Sequence, residues 1–200
     1  MISYEWRTGL ESTESAELAD VLHRAADYDA EPEYSTIDFA DVESAFARAD
    51  SGLRHLVIWM QPHATAIGRP DEPHRIAGLV RLAVPTAGAA EGTVVIDPRL
   101  RSLGIMTLLL ERLGLDTTGP DGWCGTGART ITAWARGNHP AAGRLSNRFL
   151  IPRTRRVWKL ILNEEVRYVD SDDAGTVNAC RLAGFQHDRT DVRYQLGELP

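Results

Sequence analysis

The sequence predicts an α/β or α+β fold, a sheet with helices on both faces, and three observations carry that expectation. Two amphipathic helical stretches come first, three strand-like runs rich in Val and Ile follow, and strand-helix-strand order then closes the chain. The chain has 200 residues, of which 43% are hydrophobic and 25% charged, enough for one ordinary core and an appendage without disulfide support.

Each element has a local reason. Residues 2–9, "ISYEWRTG", read as a first strand, and residues 12–29 follow as a helix with Ser12 or Thr13 as cap and Leu18, Leu22 and Ala25 at helical spacing. A second helix is expected over residues 38–50, with Phe39, Val42 and Phe46 on one face. The period then changes: 53–61, 74–85 and 92–97 read as strands, with a loop over 62–73 between the first two. A helix is expected at 105–113, then a Gly-rich loop through "LGLDTTGPDGWCGTGA". Strand 130–136, helix 139–150 and strand 154–162 come next, and the tail repeats that order as strand 165–170, helix 173–184 and strand 190–196. Sliding by about 34 residues superposes Trp134 on Tyr168 and Ser146 on Cys180, a weak internal repeat.

Composition excludes several classes. A net charge of -6 opposes a generic nucleic-acid binder, which needs a basic surplus. Cys124 and Cys180 cannot build a disulfide framework, and no Cys or His spacing offers a metal site. The start "MISYEWRTGL" lacks a signal-peptide pattern, and the apolar runs fall short of the roughly 20 residues that a bilayer needs. A cytoplasmic protein that binds neither nucleic acid nor membrane is the expectation.

The stretch "VVIDPRLRSLGIMT", residues 94–107, concentrates the chemistry. Pro98 ends strand pairing, and Arg99, Arg101, Ser102, Leu103 and Gly104 lead into the helix. A helix start exposes N–H groups at the positive end of its dipole, and a glycine there lets an anion approach the backbone. The alternative reading is a relaxed strand-to-helix turn with solvated arginines.

This stretch resembles the acetyl-CoA motif of the GNAT acetyltransferase superfamily. Arg101 and Gly104 match its pattern, while Met106 stands where a small residue is usual. The stretches "YEWRTGL", "AWARGNHPAAGRLSNRF", "RYVDSDDAGTVNACRLAGF" and "TDVRYQL" resemble the mycothiol synthase family of tandem, actinobacterial GNAT proteins. The resemblance implies a GNAT fold with a mixed, mostly antiparallel sheet over residues 1–162. Residues 163–200 would form a partial second unit, packed on the same sheet or exchanged with a second chain as a homodimer.

It also implies roles. Backbone N–H groups of Val94, Val95 and Ile96 would polarise the thioester carbonyl, and Arg101, Ser102, Leu103, Gly104, Ile105, Met106 and Thr107 would hold the pyrophosphate of acetyl-CoA, with no metal. Glu91 lies near where relatives place a basic carboxylate; a surface strand end is the alternative. Cys180 falls where relatives carry an acidic tyrosine, as Ser146 does in the first unit; a helix Cys is otherwise apolar filler. Tyr168 would face the aminoacyl-glucosaminyl-inositol substrate, or pack across strands. Asp38 would stand near a substrate carboxylate, or cap its helix. The Arg-rich run 144–159 would meet the 3′-phosphate of CoA or form a solvated face, and His139 belongs to a helix-start turn. Two functions follow: an acetyl-CoA-dependent N-acetyltransferase whose acceptor is an amine such as the cysteinyl amine of the mycothiol precursor, or a degenerate GNAT module that binds acetyl-CoA or a protein partner without catalysis.

Overall fold

The computed structural model describes residues 2–29, 37–48, 52–60, 75–86 and 88–198. The loop expected over 62–73, and the last two residues of the second expected helix, lie outside them. Among the described residues, eight strands and five α-helices make a mixed α/β fold, and the strand pairs of defined register are all antiparallel. The chain divides into two compact units, residues 1–130 and 131–200.

In the first unit, β1 (Ile2–Arg7), β2 (Leu53–Met60), β3 (Arg75–Thr86) and β4 (Gly88–Ile96) are successive neighbours. Helix α1 (Ser12–Asp29) buries Leu18, Val21, Leu22 and Ala25, a stripe at three- and four-residue spacing. These meet Val42 of α2 (Phe39–Ala47), Val57, Ile76, Leu79 and Val95 in one apolar cluster. Each fully buried Leu or Val contributes about 1.5–3 kcal/mol, so this cluster fixes α1 against the strands. The α1 start differs from expectation in detail. Ser12 is already helical, and the preceding residue, Glu11, donates its N–H to the Glu14 carboxylate at 3.1 Å. Asp38 caps α2, accepting from the Ala40 N–H at 3.1 Å.

Gly78 shows what brings β3 and β4 together. It stands opposite Ile96, and a Cβ built on it would run into the Val95 carbonyl oxygen, a backbone atom that cannot turn aside, so only glycine admits that approach. Beyond β4 come a 3₁₀ turn (Pro98–Leu100) and α3 (Ile105–Leu113), the helix in the register expected.

Strand β5 (Ala128–Ala135) begins in the first unit and ends in the second. Within the second, neighbours run β5, β8 (Gln186–Gly197), β6 (Arg153–Leu162), β7 (Glu165–Asp170). Both strands of the 163–200 segment therefore pair with β6, β7 on one side and β8 on the other. Helix α4 (Pro140–Phe149) follows β5, and α5 (Ala174–Leu182) joins β7 to β8.

Candidate functional site

The site is built where β4 ends. Asp97 donates its N–H to the Ala77 carbonyl at 2.9 Å, which makes 97 and 77 a hydrogen-bonded pair. Antiparallel alternation then turns the N–H groups of Ile96 and Val94 away from β3. Val95 is buried toward α1, whereas Val94, on the opposite face, is 43% exposed.

The turn after β4 is held by ion pairs. Asp97, 2% exposed, accepts from the Arg99 backbone at 3.0 Å and from the Arg99 and Arg24 guanidinium groups, each at 2.8 Å. Burial opposes its ionisation, but the hydrogen bonds from Arg99 and Arg24 outweigh it and lower the carboxyl from 3.8 to about 2. Two residues on, Arg101 grips Asp29 with both terminal guanidinium nitrogens, at 2.6 and 3.0 Å, and donates its Nε–H to the Ile96 carbonyl at 3.2 Å.

The chain then enters α3 through two left-handed residues, Ser102 at φ 67° and Gly104 at φ 79°. Gly104 is the N-cap and offers no side chain to the first turn. The first helical bond runs from Leu108 N–H to the Gly104 carbonyl at 2.9 Å, so the N–H groups of Ile105, Met106 and Thr107 point out of the helix start. A Cβ built on Gly104 meets no atom within 4 Å, which leaves the backbone open to an approaching anion. These residues fit a pyrophosphate: uncapped amides, an open face and the positive end of a helix dipole.

The other expected residues are placed as follows. In the first unit, Glu91 is exposed on β4 opposite Ala83, and Asp38 is the α2 cap. In the second unit, Tyr168 is exposed on β7, while Cys180 is 2% exposed among Leu160, Val169, Val177 and Phe185. Ser146 is buried and donates to the Ile151 carbonyl at 2.6 Å. His139 caps α4, its Nδ1 accepting from the Ala141 N–H at 3.2 Å. The Arg-rich run finds acidic partners from other strands: Arg155 pairs with Asp170 at 2.9 Å and Lys159 with Asp188 at 3.3 Å.

Sequence reasoning missed Arg24, Asp29 and Asp97. Asp97 had a local signal in Asp-Pro-Arg, where an Asp before Pro caps a turn, and Asp29 in the last turn of α1, which has no basic residue of its own; Arg24, 73 residues from its partner, had none.

No protein-family model and no curated protein matches the chain. Solved structures do. The chain is similar to yncA from Salmonella typhimurium, solved with its cofactor acetyl-CoA, at 15% identity and TM-score 0.59, covering 98% of this chain and 93% of that one. It is similar to spermidine N-acetyltransferase from Vibrio cholerae, solved with CoA and spermine, at 15% identity and TM-score 0.56, covering 96% and 94%. It is similar to the acetyltransferase of GNAT family from Streptococcus pneumoniae at 16% identity and TM-score 0.56, covering 99% and 100%. At such identities the likeness is one of architecture, and the chain has the fold of GNAT acetyltransferase structures.

Proposed function

We propose that this protein is an acetyl-CoA-dependent N-acetyltransferase acting on a small amine. The observation that supports it most is the uncapped start of α3 at left-handed Gly104, after β4 and its 3₁₀ turn. There the amides of 105–107 would hold the pyrophosphate, and the β4 edge with Val94 to Ile96 would take the pantetheine arm. Acetyl-CoA supplies an activated thioester. The acceptor nitrogen forms the new bond to the acetyl carbon as the carbon–sulfur bond breaks, and the proton lost by the amine balances the one gained by the departing thiolate.

The finer reading rests on the sequence resemblance. Its acceptor is the cysteinyl amine of the mycothiol precursor, its setting the cytoplasm of an actinobacterium. Its module boundary lies at residue 162, with 163–200 as a partial second unit that can also serve a homodimer. Glu91 as base, Cys180 as acid, and Asp38 and Tyr168 as substrate contacts belong to this reading.

The burial of Cys180 in an apolar cluster favours a second reading, a GNAT module that binds acetyl-CoA without turnover. Thiol release from acetyl-CoA, followed with the cysteinyl precursor and with spermidine as acceptors, separates the two. Amine-dependent release is expected; binding of acetyl-CoA with no release for any amine would leave the second reading standing.

A further inference from the structure

Arg101 carries a formal charge at the edge of the proposed phosphate turn, yet its guanidinium is committed elsewhere. Its partner, Asp29, is the last residue of α1, a helix whose final turn contains Asp27 and Asp29 and no basic residue. Carboxylates at the negative end of a helix dipole are unfavourable there, and Arg101 brings a cation to that pole from 72 residues away. The pairing is bidentate, at 2.6 and 3.0 Å, and both side chains are about four-fifths buried. The remaining Nε bonds the Ile96 carbonyl at 3.2 Å, and the guanidinium carbon lies 5.3 Å from the Tyr28 ring centroid. The side chain is thus fixed on three sides, to the helix end, the strand end and an aromatic face.

Immediately after this anchored residue, Ser102 adopts φ 67°, a conformation that a residue with a Cβ enters only when its surroundings impose it. We infer that Asp29 is a positioning residue of the phosphate turn: through Arg101 it holds residues 101–104 in the shape that presents the 105–107 amides, so Arg101 serves the site with its backbone rather than its charge. The inference rests on the reading of this turn as an acetyl-CoA site.

Two variants and two readouts test it. Asp29→Asn keeps the shape of the side chain and removes its charge, and Arg101→Lys keeps the charge but cannot bridge a carboxylate with two parallel bonds. Each variant is expected to weaken calorimetric binding of CoA by about tenfold. Each should also speed amide hydrogen exchange at Leu108, whose N–H bonds the Gly104 carbonyl, while leaving Gly114, bonded to Leu110 at the other end of α3, unchanged. Affinity retained in Arg101→Lys, tighter CoA binding in Asp29→Asn, or unaltered exchange at Leu108 overturns the inference. If the unaltered protein binds no CoA, the acetyl-CoA reading fails by itself, and exchange at Leu108 still decides whether Asp29 holds the turn.

Discussion

The chain makes the same strand, 3₁₀ turn and helix sequence twice, once from β4 into α3 and once from β5 into α4, and both turns are gripped in the same way. In the first, buried Asp97 accepts from Arg24, Arg99 and the Arg99 N–H. In the second, Asp191, 1% exposed, accepts from Arg136 at 3.1 Å, Arg189 at 3.2 Å and the Gly137 N–H at 2.9 Å. What differs is the helix start. Helix α4 opens with Pro140, which has no N–H, and His139 occupies the next donor. Helix α3 opens with Ile105 behind a Gly104 cap, which occupies none. A carboxylate clamp therefore shapes a turn, but only an uncapped helix start makes it a place for an anion.

The sharpest way to break this comparison is to fill the open start. Gly104→Trp places its Cβ where no protein atom lies within 4 Å, so the fold should survive at a cost of about 1–2 kcal/mol for the left-handed backbone. Acetyl-CoA affinity should fall at least about a hundredfold, roughly 2.7 kcal/mol, in a calorimetric titration. Affinity within a few fold of the unaltered protein would show that the anion, if it binds, binds elsewhere.

Removing either clamp tests what the two turns share. Asp97→Asn and Asp191→Asn are each expected to destabilise by about 2–3 kcal/mol in urea unfolding, because each leaves guanidinium groups short of a buried partner. Only Asp97→Asn should also weaken acetyl-CoA binding. The Asp97 effect has a pH signature. Its carboxyl is depressed, so its contribution is complete above the ordinary value of 3.8 and is lost as pH falls through about 2. The stability gap between the unaltered protein and Asp97→Asn should shrink over that interval, and a gap that stays constant there would contradict the ion-pair account.

The smallest effect belongs to the cap. His139→Ala should cost about 0.5–1 kcal/mol of stability and leave acetyl-CoA affinity unchanged. A loss of affinity would mean that the α4 start serves the ligand too.

The comparison also marks what the sequence can carry. Strand and helix positions were legible because burial imposes period on residues close in the chain: α3 over 105–113 and β7 over 165–170 fall where their patterns put them. The turn glycine at 104 was legible from its place between a strand pattern and a helix pattern, and its left-handed backbone is a finding of the structure. The clamps were not. Arg24 and Asp97 lie 73 residues apart, and Arg136 and Asp191 lie 55 apart, so neither partner choice leaves a local trace. Cys180 shares the buried face of α5 with Val177, and only the packing of that face against β6 and β7 shows the thiol to be enclosed. The weak repeat in the tail correctly reads a strand, a helix and a strand, yet gives no hint that β7 and β8 flank β6 on opposite sides. Pairing partners are set by tertiary packing, which period alone does not encode.

The most direct test of the central claim is an amide chemical-shift titration of isotope-labelled protein with acetyl-CoA, comparing the two helix starts in one experiment. Saturable shifts are expected at Gly104, Ile105, Met106 and Thr107, with Ala141 and Ala142 at the α4 start unmoved. Millimolar acetyl-CoA that leaves 104–107 unmoved, or that shifts 141 and 142 instead, would contradict it.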